Sequence, residues 1–267
     1  MTFIIIHCYN ILTMNKNSSL NFLLVILFIM RVIYLNAQLE INETIKISDD
    51  LELTRITENS YIHISYLITS NGRRVPCNGL IYVNRNEAFI IDTPVNDEIT
   101  LDLIHWLKNN LSVNVTGVIV NHWHVDCMGG LNQIHKYGIK SYAHELTCEI
   151  AASKNLPVPG FSFKDSLIIN SGDKEIICKY FGAAHTIDNI VVWIPEEKTL
   201  FGGCMVKALS ATTPGNINDA DLSSWPGTIE KVIRRFRKAE IVVPGHGNYG
   251  GPELLTHTLN LIKQYTD

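Results

Sequence analysis

The sequence has few charged residues and no excess of basic ones. Charged side chains make up 18% of the 267 residues, and 22 Lys and Arg against 26 Asp and Glu give a formal net charge of −4. A mildly acidic chain does not favour a nucleic-acid partner. The sequence also lacks an internal repeat and a linker that would divide it, so its 46% hydrophobic content predicts one globular domain.

The most apolar stretch lies near the N-terminus. Lys16 precedes the apolar run 23–30, and Ala37 ends a segment suitable for cleavage, which is the arrangement of a signal peptide. The alternative, an uncleaved membrane anchor, is disfavoured because Arg31 interrupts the apolar stretch. We therefore predict an N-terminal leader at 1–37.

A start of translation at Met14 and cleavage after the leader would leave a single domain at 38–267. We expect this mature chain in the periplasm, without stable association with a membrane. Its cysteines are odd in number and widely spread, so a disulfide framework does not explain them. These cysteines are Cys77, Cys127, Cys148, Cys178 and Cys204.

Runs rich in β-branched and aromatic residues alternate with segments of helical periodicity along the rest of the chain. Two β-rich halves, each flanked by helices, predict an α/β fold in which two sheets pack face to face with helices outside, an αββα sandwich. The expected strands are 51–57, 61–69, 79–83, 88–92, 116–120, 166–170, 175–181, 190–194, 199–201 and 241–243. The expected helices are 97–111, 130–137, 145–154, 225–238 and 252–265.

A first group of metal-binding side chains follows the strand expected at 116–120. His122, His124 and Asp126 stand at i, i+2 and i+4, so an extended backbone would point all three to one side. Imidazole suits metals such as zinc. The alternative is that the histidines only cap the end of a strand.

Three further segments place a possible ligand at a strand end beside glycine or another small residue, namely His185, Cys204 and His246. A lone cysteine is more often a small buried hydrophobe, but four such segments together favour a metal centre. Six ligands are too many for one tetrahedral zinc, whereas two catalytic zinc ions with three protein ligands each account for all of them. Spacing alone leaves open which ligand serves which metal.

Together these segments resemble the class B metallo-β-lactamases of subclass B1, in particular the carbapenem-hydrolysing type with cysteine after the His-x-His-x-Asp motif. The resemblance spans nearly all of 38–267 and implies the metallo-β-lactamase fold. It also implies that His122, His124 and His185 hold a first zinc, while Asp126, Cys204 and His246 hold a second. The matching pieces are 122–126, 185–189, 202–207, 215–216 and 244–247.

The resemblance further implies a monomeric enzyme that acts on small molecules and confers antibiotic resistance by opening the β-lactam ring of penicillins, cephalosporins and carbapenems. Zinc lowers the pKa of bound water to about 7, so a zinc-bound hydroxide would attack the lactam carbonyl while the second zinc stabilises the departing nitrogen. Asp126 would orient the nucleophile, Asn216 would stabilise the carbonyl oxygen and contact substrate, and Lys207 would bind the substrate carboxylate.

Two other functions stay open at this point. A thioesterase of the glyoxalase II type shares the fold but typically has histidine where this chain has Cys127, and aspartate where it has Cys204. A non-enzymatic metal-binding protein of the envelope is the third hypothesis. We expect Cys127 to be a packing thiol rather than a ligand.

The segment 70–76 resembles the mobile flap of the family, with Arg73 and Arg74 in place of an apolar tip. This departure leaves the substrate preference open. Asp188 and Asn189 are expected to serve packing, with support of His185 as the alternative.

Overall fold

Residues 40–266 are described by the computed structural model, and the leader predicted at 1–37 lies outside them. The first half of this part of the chain builds an eight-stranded sheet in the order β1 to β8. Strands β1 to β5 are antiparallel, and β6, β7 and β8 continue from β5 in parallel. Its elements are β1 (Thr44–Ser48), β2 (Leu51–Arg55), β3 (Ser60–Ile68), β4 (Arg74–Asn84), β5 (Glu87–Ile91), α1 (Asp97–Asn110), β6 (Asn114–Ile119), α2 (Val125–Met128), α3 (Leu131–Lys136), β7 (Lys140–His144), α4 (Glu145–Ser153) and β8 (Phe161–Phe163).

The second half builds a five-stranded sheet in the order β13-β12-β11-β10-β9. Only the pair β12 and β13 is parallel in this sheet. Its elements are β9 (Ser166–Ser171), β10 (Lys174–Tyr180), β11 (Ile190–Ile194), β12 (Thr199–Gly203), α5 (Trp225–Arg235), β13 (Ile241–Pro244) and α6 (Glu253–Thr266).

Side chains of the central strands of the second sheet point alternately to its two faces and so fill two separate cores. In β11, Ile190 and Val192 face the first sheet, whereas Val191 faces the outer helices. Because successive side chains of a strand point to opposite faces, a strand that is apolar at every position is covered on both sides. Helices α5 and α6 supply that outer cover, with Trp225 fully buried among their apolar side chains.

The sandwich predicted from the sequence is confirmed, since two sheets share one core and helices lie outside each of them. From Ile41 onward the described residues cluster as one compact unit. Within residues 40–266, no helix is long and apolar enough to cross a membrane.

Three strands were missing from the sequence prediction, β1, β7 and β8. They are short, and β1 is half exposed along its length, so none shows the clean two-residue period that identifies a half-buried strand. Strand β4 also begins earlier than expected, because residues 74–78 pair with Ile64–Ile68 of β3. The flap is therefore the tip of the β3–β4 hairpin, where Gly72 takes a left-handed conformation with φ +78°.

Candidate metal centre

Three histidines form the first cluster of the site. His122 and His124 lie in the bend between β6 and α2, and His185 lies in the loop between β10 and β11. The ring centroids are 4.7 to 5.2 Å apart in all three pairs, and one ring nitrogen of each histidine lies within 4.8 Å of the others. Three imidazoles that turn their nitrogens toward one point are a suitable ligand set for zinc.

Asp126 does not share the backbone geometry of these histidines. The amides of Cys127 and Met128 both donate to the carbonyl of His124, at 3.0 and 3.1 Å, and these bonds begin the short helix α2. The expectation of an extended backbone through Asp126 is therefore wrong. The helical turn brings the carboxylate to a second cluster, while one of its oxygens stays within 4.8 Å of a ring nitrogen of His122.

That second cluster consists of Asp126, Cys204 and His246. The Cys204 sulfur lies 3.2 Å from Oδ2 of Asp126 and 3.3 Å from Nε2 of His246, and the latter two atoms are 3.3 Å apart. A tetrahedral zinc with sulfur at about 2.3 Å and nitrogen or oxygen at about 2.0 Å separates its ligand atoms by roughly 3.3–3.6 Å. The donor types and their spacing therefore fit a bound zinc ion.

Close packing behind the second cluster depends on Gly245, which follows β13. A Cβ at this position would lie 2.5 Å from the Cys204 sulfur and 2.7 Å from its backbone nitrogen. The Gly245 amide donates to the carbonyl of Gly203 at 2.8 Å. Only glycine lets the two strand ends approach so closely that Cys204 and His246 meet.

The three groups of the second cluster shift one another's pKa. Burial disfavours the charged form of Asp126, but the hydrogen bond from His246 and the nearby charge of His122 outweigh it and hold the pKa well below its usual value. The hydrogen bond from Cys127 likewise holds the pKa of Cys204 well below that of a free thiol. Burial lowers the pKa of His246, yet the Cys204 thiolate and Asp126 raise it overall. Asp126 and Cys204 are thus both held in their anionic forms, which favours a cation between them.

Cys127 contacts both clusters from behind. Its sulfur lies 3.1 Å from Nδ1 of His122, and burial raises the pKa of this thiol well above its usual value. Asp92 lies beside the same thiol and accepts a hydrogen bond at 2.6 Å from the backbone amide of Asn121. Cys127 is therefore more than the packing thiol that the sequence predicts, because its sulfur also contacts His122 and Cys204, one predicted ligand from each cluster.

Two aspartates support the His122–His124 segment through hydrogen bonds. Asp188 accepts hydrogen bonds from the Trp123 amide at 2.9 Å and from the Thr147 hydroxyl at 2.8 Å. Asp219 lies 3.0 Å from Nε2 of His124. Both carboxylates are distant in sequence from the groups they bind. The sequence indicated Asp188 only as an alternative support for His185, and it gave no reason to select Asp219.

Asn189 supports the loop that carries His185, which is close to the support of His185 considered as the alternative to packing. Its side-chain oxygen accepts a hydrogen bond from the Thr186 amide at 2.9 Å, and its amide group donates to the Gly182 carbonyl at 3.1 Å. These bonds fix the loop that carries His185.

A cavity of about 1320 Å³ opens above the two clusters, and His124, Asp126, His185 and His246 line it. Lys207 and Asn216 line the same cavity. The structure thus brings the predicted substrate-binding residues to the side of the predicted ligands.

Lys207 is a nearly buried cation, with 9% of its surface exposed. Burial lowers the pKa of its ammonium group, while Cys204 and Asp126 oppose that shift. Among residues 40–266 no carboxylate lies within ion-pair distance of it. Asn216 is exposed, and its side-chain oxygen accepts a bond from the Asn218 amide at 3.2 Å, which leaves the amide nitrogen as a donor.

The two flap arginines lie in different surroundings. Arg74 stacks on Tyr66, with its guanidinium carbon 3.4 Å from the ring centroid, and pairs with Asp50 at 3.1 Å. Arg73 lines the cavity. Only Arg73 is therefore placed to meet a molecule in the cavity.

Sequence comparisons identify the family of this chain. A family model described as the metallo-beta-lactamase superfamily matches residues 72–246. A protein of Bacteroides fragilis named metallo-beta-lactamase type 2 is 44% identical over 225 residues, which are 84% of this chain and 90% of the relative. A Bacillus cereus protein of the same name is 35% identical over 222 residues, which are 83% of this chain and 85% of the relative.

Solved structures give the same result. A metallo-beta-lactamase from Pontibacter korlensis superposes with a TM-score of 0.77 and 40% identity, covering 80% of this chain and 99% of that one. The mono-zinc form of the metallo-beta-lactamase FIM-1 from Pseudomonas aeruginosa superposes with a TM-score of 0.75 and 31% identity, covering 83% and 99%.

A two-sheet sandwich with clustered histidine, aspartate and cysteine side chains that could hold metal ions is the architecture of a metal-dependent hydrolase. The chain belongs to the metallo-β-lactamase family, as the sequence resemblance predicted.

Proposed function

We propose that this chain is a zinc-dependent β-lactamase of subclass B1 that hydrolyses the amide bond of the β-lactam ring. One observation carries the proposal. Members of both clusters line one cavity, and Lys207, which has no carboxylate partner among residues 40–266, lines the same cavity. The relatives named metallo-beta-lactamase support the same activity.

Each cluster would hold one zinc ion, the first through His122, His124 and His185. The second would be held through Asp126, Cys204 and His246. Zinc, when bound, supplies a nucleophile at neutral pH by lowering the pKa of water, and it polarises the carbonyl group.

The side chains around the clusters bind and orient the substrate. The Lys207 ammonium would pair with the carboxylate that β-lactam drugs carry beside the ring nitrogen. The free amide nitrogen of Asn216 would donate a hydrogen bond to the carbonyl oxygen as it gains charge, a role worth about 3 kcal/mol per donor in other enzymes. The Asp126 carboxylate would accept a hydrogen bond from the attacking nucleophile and so help to orient it.

Penicillins, cephalosporins and carbapenems are the proposed substrates, and antibiotic resistance is the proposed consequence. Export to the periplasm through the leader at 1–37 and action as a monomer are further parts of the proposal. Hydrolysis of a thioester is the competing activity, and the thiol of Cys204 in place of a carboxylate is the feature that disfavours it.

The test is a hydrolysis assay with purified protein on a penicillin, a cephalosporin, a carbapenem and a thioester, with and without EDTA. We expect the lactams to be opened, activity to be lost with EDTA, and zinc to restore it. No lactam turnover by fully zinc-loaded protein would refute the proposal. Metal analysis should find two zinc ions per chain, and chelator competition should show weaker binding of the second zinc in Cys204→Ser. Unchanged affinity for both zinc ions in that variant would show the ligand assignment to be wrong.

A further inference from the structure

A third sulfur atom lies beside the second cluster. Cys77 belongs to strand β4 and is 2% exposed. Its sulfur lies within 4.8 Å of a carboxylate oxygen of Asp126 and of a ring nitrogen of His246. We infer that Cys77 is a further ligand of the second metal, so that this cluster has two sulfur donors instead of one.

The backbone around Cys77 is fixed to the loop that carries His246. Nδ1 of His246 lies 2.8 Å from the carbonyl oxygen of Pro76, to which it donates. On the other side of Cys77, the amide of Asn78 donates to the Gly245 carbonyl at 2.8 Å. The residues before and after Cys77 are therefore both bonded to the His246 loop, which holds the sulfur beside that histidine.

The side chain of Asn78 strengthens the same connection. Its amide nitrogen donates to the carbonyl of Pro244 at 2.9 Å and to that of Gly247 at 2.7 Å. One residue of β4 thus bonds three carbonyls of the loop around His246. A position held by this many bonds needs little reorganisation when a ligand sphere forms.

The donor chemistry supports direct binding. Asp126, Cys204 and His246 supply three ligands, and tetrahedral zinc accepts a fourth. A thiolate in that position, with its proton released to solvent as the sulfur–metal bond forms, gives two soft donors that favour ions such as Zn²⁺ and Cd²⁺. Cys77 would then compete with solvent and substrate for the second metal, and its removal would weaken metal binding.

The opposite interpretation is that Cys77 only hydrogen-bonds to His246. A serine at this position would preserve that hydrogen bond but would be a poor metal ligand. Cys77→Ser therefore separates the two interpretations. Cys148→Ser is the matched control, because Cys148 is a free, half-exposed thiol of helix α4 outside both clusters.

The inference rests on the proposed second metal site, and cobalt titration of the metal-free full chain tests both. We expect the sulfur-to-cobalt charge-transfer band of the second equivalent to lose about half its intensity in Cys77→Ser, because one of two thiolates is removed. The same variant should bind Cd²⁺ about tenfold more weakly or worse in chelator competition. Cys148→Ser should match the unmodified chain in both measurements.

A wild-type band and wild-type Cd²⁺ affinity in Cys77→Ser would overturn the inference. Absence of any charge-transfer band from the unmodified chain would instead overturn the proposed second site. If Cys77→Ser does not fold, as judged by circular dichroism, ¹¹³Cd NMR of the unmodified chain decides the question. A chemical shift typical of two sulfur donors supports the inference, and one typical of a single donor refutes it.

Discussion

Replacing Lys207 with methionine tests the charge that the proposed function assigns to substrate binding. Methionine keeps an unbranched apolar stem, which matters because the Lys207 ammonium lies 5.2 Å from the ring centroid of Trp225 and its stem fills the same region. The substitution therefore removes the charge with little change in packing. Metal content should stay the same, because Lys207 belongs to neither ligand cluster.

The size of the effect follows from the burial of the ammonium group. At 9% exposure it is poorly hydrated and has no carboxylate partner in the described part of the chain, so a substrate carboxylate would be its principal counter-ion. Hydrogen bonds to charged groups contribute about 1.5–3 kcal/mol. A loss of about 2 kcal/mol corresponds to about a 30-fold weaker affinity.

Steady-state kinetics on one cephalosporin and its methyl ester provide the assay. With the free acid, KM should rise about 30-fold in Lys207→Met while kcat changes little, because the carboxylate is bound equally in ground and transition states. With the ester, the two proteins should have similar KM values. Equal KM values for the acid, or equal losses for acid and ester, would refute the assignment of Lys207.

Three further substitutions test other parts of the structure. Asp219→Asn removes the charged partner of His124, and chelator competition should show about tenfold weaker binding of the first metal; unchanged affinity would mean that the contact is incidental. Gly245→Ala places a methyl group against Cys204, so metal analysis should find one zinc ion per chain, and two would contradict the packing argument. Burial lowers the pKa of His63 from 6.5 to about 4, so between these values the unfolded chain binds a proton that the native state excludes, and stability falls as pH falls. Urea unfolding of the metal-free protein should show a loss of about 3 kcal/mol in the free energy of unfolding between pH 6.5 and pH 4. This loss should be absent from His63→Gln, and the same pH dependence in both proteins would refute the argument.

Elements with strong periodicity were predicted well from the sequence. The strand expected at 190–194 has these bounds in the structure, and the helix expected at 97–111 differs by one residue. Both bury apolar side chains with a regular period, which the sequence displays directly. The edge strands β1 and β8 bury little, so pairing with a neighbour decides their conformation, and such pairing leaves no local pattern.

The candidate ligands were found for a related reason. His122, Cys204 and His246 each follow a buried strand and stand near small residues, and both features are visible along the chain. Their division into two groups was implied only by the family resemblance. In the structure that division follows from the short helix α2, which directs Asp126 toward Cys204.

The sequence by itself determined the strands and helices with strong periodicity and the side chains that can bind a metal, because these properties depend on residue type and short-range spacing. Only the tertiary structure decided which distant groups meet. Asp219 reaches His124 across 95 residues, and Cys77 lies beside His246 because Pro76 and Asn78 are bonded to the loop around it. Contacts of this kind arise from the packing of two sheets, and no local pattern encodes them.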